Sequence, residues 1–294
     1  QVVFTVPLPE SFNLRRWFAE EIEKVVTLSP HDADRLATVI DVEGGHRLPT
    51  PRSVKRALNA VWTTWPSVRD QVNVADFVWI QLVKTSNMPF YKWIEDYVRN
   101  FTSIYLDHAT ISTGSSELYE EKLREVLKID ALKIEQIGFL LSEMLPGVEP
   151  TFRDKEGVGF KLFKTVQGEE LQRIANDRRL ASPVHSRLYF SLALPADVPT
   201  DEEVEHLHSL IIHSPCEAKR LLLEGLKIRQ ANRPAKSEAY LDRLRGRSGC
   251  SASYYENILN IFTDIAGFGQ RRGVRHCERD VEHARQSLGQ VGLA

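Results

Sequence analysis

The sequence predicts a mainly α protein, a bundle of helices that follows one N-terminal strand. Apolar residues recur at helical spacing over most of the chain, and Ser-Pro and Thr-Pro pairs open helices in its first third. A single continuous apolar run, Val2, Val3, Phe4 and Val6, stands ahead of Pro7 and Pro9. Such a run reads as a strand buried on both faces, as in a parallel sheet, with a short edge strand or extended arm as the alternative. Few sheet neighbours follow it, so the strand's partners are expected in a portion preceding Gln1.

The elements follow in order. Leu14, Trp17, Phe18, Ile22, Val25 and Val26 share one helical face, with charged residues opposite. Ser29 and Pro30 open a second helix, through Leu36, Val39 and Ile40 to a stop at Gly44 and Gly45. Thr50 and Pro51 open a third, with Val54, Leu58, Val61 and Trp62 on one face until Pro66. A fourth starts near Val74, and "FYKWIEDYVRNFTSIYL" is helical in period and dense in aromatics. "STGSS" is a polar loop before two helices joined near Asp130. The stretch from Pro146 to Gly159, rich in Pro, Gly and charge, is the expected boundary. "HSRLYFSLALP" is ambiguous between a short helix and a strand, whereas Thr200 and the acids after it cap a further helix. More helix follows, with a glycine-rich tail from Gly267. The expected domains are 1–10, 11–146 and 147–294.

Composition narrows the function classes. With 294 residues and 42% hydrophobic content the chain buries one large core or two ordinary ones. A net charge of −2 gives no global attraction to nucleic acid or an anionic membrane, so any such partner must use a local patch. The three cysteines, Cys216, Cys250 and Cys277, lie far apart and suit free thiols. No apolar run approaches the roughly 20 residues of a spanning helix, and no signal peptide is read. The expectation is a cytoplasmic chain.

Familiar catalytic motifs are missing. G-x-x-x-x-G-K-[ST], G-x-S-x-G and H-E-x-x-H do not occur, and "GVGF" and "GFGQRRG" lack a dinucleotide fingerprint. In "HLHSLIIHSPC", His206 and His213 stand two helical turns, about 10 Å, apart and His208 points elsewhere, so no metal site is expected. The same spacing objection holds for His276, Cys277 and His283. Local charge is more informative. Between Lys219 and Arg247, Lys227, Arg229, Arg233, Arg243, Arg245 and Arg247 belong to a cationic excess that faces only Glu224, Glu238 and Asp242. That excess is a candidate surface for nucleic acid or a protein partner, with Tyr254 and Tyr255 as stacking rings and Arg271, Arg272, Arg275 and Arg279 as an extension. Solvated faces with internal ion pairs are the competing account.

The first hundred residues carry a resemblance. "QVVFTVPLP", a long amphipathic helix, "TPRSVKRALNAV" and then "VNVADFVWIQLVKTSNMPFYKWI" together resemble the region downstream of the Walker motifs in the KAP family of P-loop NTPases. Pro51, Arg52, Lys55, Arg56, Asn59 and Asp76 occupy that pattern, and Arg187, Tyr189 and Phe190 match a later element more weakly. The resemblance covers residues 1 to about 105.

The resemblance implies a helical lid-like bundle, the remainder of an α/β P-loop protein whose nucleotide-binding core lies outside this chain. ATP and Mg2+ would be held by that core, and hydrolysis is expected only of the full-length protein. Arg52 or Arg56 would act as a lid or sensor arginine on the γ-phosphate, with Arg52 and Asn59 facing the nucleotide. Ion pairs to Asp41, Glu43 or Glu95 are the alternative fate of the two arginines. Bacterial members are associated with phage exclusion and anti-phage defence, so the implied partners are the P-loop core and other defence proteins.

Overall fold

The computed structural model describes residues 9–107, 113–128, 134–153, 157–191, 195–228, 235–245 and 250–270. The expected N-terminal strand and the tail beyond Gln270 lie outside them. The protein is mainly helical with one small two-stranded sheet. It divides into two compact units, Gln1–Leu194 and Pro195–Ala294.

The first unit is built around one helix. The helices α1 (Ser11–Glu23), α2 (Pro30–Arg47), α3 (Pro51–Val68), α4 (Val74–Ser86) and α5 (Met88–Asp107) follow in sequence. Every residue of α4 from Val74 to Val83 is buried, polar Asp76 and Gln81 included, and α2, α3 and α5 pack around it. The caps stand where the sequence places them. Ser29 accepts from the Asp32 amide, and Thr50 and Ser53 form a reciprocal capping box with Pro51 in the first turn.

Two expected stops are overrun. The helix α2 continues through Gly44 and Gly45 to Arg47, because these glycines serve packing. A Cβ on Gly44 would lie 3.0 Å from the Arg15 Cγ of α1. The helix α3 continues past Pro66 to Val68, where Trp65 and Val68 are buried and hold the last turn.

The stretch expected as a boundary folds instead as a hairpin. After α6 (Thr113–Lys128) and α7 (Ile134–Met144), β1 (Glu149–Arg153) pairs antiparallel with β2 (Gly157–Lys161), Glu149 opposite Lys161, and both strands pack against α7. Its base is held from α5. The Tyr97 hydroxyl donates to the Pro146 carbonyl at 2.7 Å and accepts from the Phe163 amide at 3.1 Å. The Tyr97 ring also lies 4.5 Å from the Phe163 ring and 5.2 Å from Trp93. Gly147 has a φ of +64°, and a Cβ there would come within 2.5 Å of the Lys164 carbonyl oxygen, so only glycine fits. The unit ends with α8 (Gly168–Asn176) and α9 (Ser186–Tyr189), the short helix inside the ambiguous stretch.

The second unit comprises α10 (Asp201–His213), α11 (Pro215–Gly225), α12 (Lys236–Arg245) and α13 (Ala252–Gln270). Thr200 and Glu203 form the expected capping box of α10. Leu207, Ile211, Leu222, Tyr240, Tyr254 and Ile261 form a core of its own.

Candidate functional site

The start of α3 presents cations to solvent. Arg52, Lys55, Arg56 and Asn59 are all exposed on its outer face, continuing to Trp62 and Thr63, and α3 contains no acidic residue. Arg56 is anchored, since its Nη2 donates at 2.9 Å to the Thr85 carbonyl in the last turn of α4, one of the acceptors a helix end leaves open. Arg52 is held by no hydrogen bond or ion pair among the described residues. None of the acids weighed as its partners pairs with it. Glu43 pairs with Arg47 and accepts from the Trp79 indole at 2.9 Å, Glu95 pairs with Arg99 at 2.9 Å, and Asp41 is exposed. Asn59 uses its carbonyl to accept from the Thr63 hydroxyl at 2.7 Å, leaving its side chain in solvent.

A second cluster of charge is buried. Asp76, in the first turn of α4 and fully inaccessible, accepts from Arg35 Nη2 at 2.7 Å through one oxygen. Its other oxygen accepts from Arg179 Nε and the Leu180 amide, each at 2.8 Å. Arg35 also donates to Asn73 Oδ1 at 3.0 Å and to Glu143 at 3.3 Å, while Arg179 reaches the Glu143 carbonyl at 2.8 Å. Asn73 is the α4 cap, and its amide group donates to Asp32 of α2 at 3.0 Å. The Tyr189 hydroxyl accepts from the Asn73 backbone amide at 2.8 Å and donates to the Arg178 carbonyl at 2.5 Å. Arg178 itself has a φ of +52°, a conformation a non-glycine residue keeps only where its surroundings impose it.

Electrostatics explain why the centre holds. Burial works to lower the Arg35 pKa, but Asp76 and Glu143 outweigh it and the pKa is raised. Burial, then the Asp76 charge, pushes the Tyr189 hydroxyl well above its ordinary value, so it stays protonated and donates. Three donors thus converge on the two oxygens of Asp76. The centre ties α2, α4, α7 and the segment around Arg179 and Tyr189 into one joint. Sequence reading missed it, although a lone acid within the apolar run VADFVWI signals a cation from elsewhere.

In the second unit the described cations of the basic stretch are largely engaged. Lys219 pairs with Asp264 at 2.6 Å, Lys236 with Glu203 at 2.7 Å, and Arg243 with Asp201 and the Pro199 carbonyl. Lys227 is exposed. Arg229, Arg233, Arg247 and the side chain of Arg245 lie outside the described residues. Among the described residues, no group of three or more His, Cys, Asp or Glu side chains is placed to hold a metal ion, and no helix is long and apolar enough to cross a membrane.

No protein-family model matches the sequence, and no solved structure matches it. The chain is similar to the phage T7 exclusion protein of Escherichia coli (strain K12), at 25% identity over 282 residues. The match takes in 94% of this chain and 35% of that protein, so the chain spans about a third of the length of the curated relative it matches.

Proposed function

We propose that this chain is the helical lid and regulatory region of a phage-exclusion protein that works as a KAP-like P-loop ATPase in the cytoplasm. The observation that carries the reading is the opening of α3. Arg52 projects into solvent from an acid-free helix start, beside an Arg56 anchored to α4. A guanidinium without an internal partner, carried on a capped first turn, is preorganised to receive a phosphate. The similarity to the phage T7 exclusion protein along nearly the whole chain supports the biological role.

In this reading a core outside the chain holds ATP and Mg2+. Arg52 reaches the γ-phosphoryl group, where it stabilises developing charge, and Asn59 lies one helical turn beyond Arg56 on the same face. The Asp76 joint carries the position of α4 to the segment around Tyr189, so that nucleotide state at α3 is passed on to partner proteins of the defence response. The test uses the full-length protein. Arg52→Ala is expected to lower ATP turnover by about 10²-fold or more and to abolish plaque protection, with folding intact. Unchanged turnover in both Arg52→Ala and Arg56→Ala would overturn the proposal.

A further inference from the structure

The histidine-rich stretch of α10 contributes nothing to a metal site, yet one of its members has a chemical partner. His208 and Cys250 lie 42 positions apart in sequence, and the fold brings His208 Nε2 to 3.7 Å from Cys250 Sγ. The imidazole is fixed in place by the Tyr254 ring, with centroids 4.9 Å apart, and Tyr254 is almost wholly buried. Cys250 sits two positions before the first residue of the 19-residue helix α13, whose opening turn is capped by Ser251 through the Tyr254 amide. The thiol therefore stands against an imidazole nitrogen and just ahead of a capped helix start, surroundings of the kind in which cysteines react. It is half-buried and packs against the core that Leu207, Ile211 and Tyr254 build.

The molecule supplies its own comparison. Cys216 lies in the first turn of α11 and is exposed, but no histidine faces it among the described residues. Cys216, like Cys250, stands at a helix start, although of another helix, and has better access, so excess reactivity of Cys250 reports the His208 pairing.

We propose that Cys250 and His208 form a reactive-thiol dyad, a modification site at which hydrogen peroxide and then a small thiol act on Cys250. The Cys250 proton passes to His208 Nε2. The thiolate sulfur attacks one peroxide oxygen, the S–O bond forms as the O–O bond breaks, and the departing hydroxide takes the proton from the imidazolium as water. Sulfur is oxidised by two electrons and the peroxide reduced by two, leaving a sulfenic acid. A small thiol then attacks that sulfur, its own proton leaves with the displaced hydroxyl as water, and a mixed disulfide remains. The adduct is far larger than the thiol it replaces and stands at the edge of the α10 and α13 core, so its formation loosens the second unit.

The experiment measures iodoacetamide alkylation by intact mass on the whole chain. One variant, Cys216→Ser with Cys277→Ser, leaves Cys250 alone. The other, Cys250→Ser with Cys277→Ser, leaves Cys216 alone. Cys250 is expected to react about tenfold faster than Cys216 despite its lower exposure, and His208→Gln is expected to remove that advantage without changing the melting temperature. Peroxide followed by dimedone is expected to label Cys250 and not Cys216. Should His208→Gln fail to fold, the comparison of the two cysteines decides alone. A Cys250 rate no higher than that of Cys216, or a folded His208→Gln that alkylates as fast as its parent, would overturn the proposal.

Discussion

Arg35 and Arg52 belong to the same unit and the same residue type, yet the fold treats them in opposite ways. Arg35 is surrounded by Asp76, Asn73 and Glu143 with little access to water, whereas Arg52 stands in solvent on a helix that carries no acid. A guanidinium taken out of water needs its charge answered at once, because desolvation costs several kcal/mol per ion. One left in water needs no internal answer and remains available to an outside anion. The burial of the partner, rather than the arginine itself, separates a charge that holds the fold from one that can serve a ligand.

The largest effect should follow from breaking the buried side. Asp76→Ala removes the shared acceptor and leaves Arg35 and Arg179 enclosed without it, for an expected loss of about 3–5 kcal/mol in denaturant-induced unfolding. A loss below about 1 kcal/mol would show that water already reaches the centre. Tyr189→Phe tests the next link. It deletes the hydroxyl between Asn73 and Arg178, but the Asn73 amide keeps a 3.1 Å bond to the Arg178 carbonyl, so about 1 kcal/mol is expected.

Alkali gives a graded version of the same test. Tyr91 packs its ring 5.7 Å from Phe190, the neighbour of Tyr189, and burial together with the Glu95 charge raises its pKa to about 12 from an ordinary 10.0. Tyr240 in the second unit is likewise raised to about 12, by burial and then Glu203. A folded pKa above the unfolded one means that the unfolded chain ionises first. The stability these groups contribute is complete below pH 10, falls as pH rises between 10 and 12, and is lost above that window. Phenolate absorbance should therefore lag behind that of free tyrosine until the onset of unfolding. Normal titration of both residues below pH 11 would contradict the packing around them.

The smallest stability effects are expected on the exposed side. Arg56→Ala removes one bond to an open helix-end carbonyl and should cost no more than about 1 kcal/mol. Arg52→Ala should fall within about 0.5 kcal/mol of the parent while turnover of the full-length protein drops as proposed. A large thermal destabilisation by Arg52→Ala would move it into the structural class and remove the contrast.

Sequence made the local features legible and concealed the distant ones. Ser29 with Pro30, Thr50 with Pro51, and Thr200 with Glu203 announce helix starts because each cap is completed within four residues. The same reasoning failed at Gly44, whose role is set by Arg15 in another helix. It also gave no sign of the hairpin, since Pro146 to Gly159, rich in Pro, Gly and charge, reads as a boundary although the strands there pair and pack on α7. Arg35 and Arg179 lie 41 and 103 positions from Asp76, so no spacing pattern joins them. Asp76 was singled out only through resemblance, as the opening of a helix, and its role as a shared acceptor emerges from the fold. Arg52 was open to either fate in the sequence, an ion pair or an outside anion, and only the fold leaves it exposed.

The Tyr97 hydroxyl at the foot of the hairpin carries a consequence for how this region breathes. A two-stranded ribbon on its own is marginal in water and opens freely. Here the Phe163 amide, two residues past β2, is bonded to the buried Tyr97 side chain of α5, and the Lys164 amide is returned to the Gly147 carbonyl. The Phe163 amide cannot take up deuterium until Tyr97 withdraws, nor the Lys164 amide until its bond to Gly147 opens. The foot of the ribbon should therefore exchange with the slow cooperative unit to which α5 belongs.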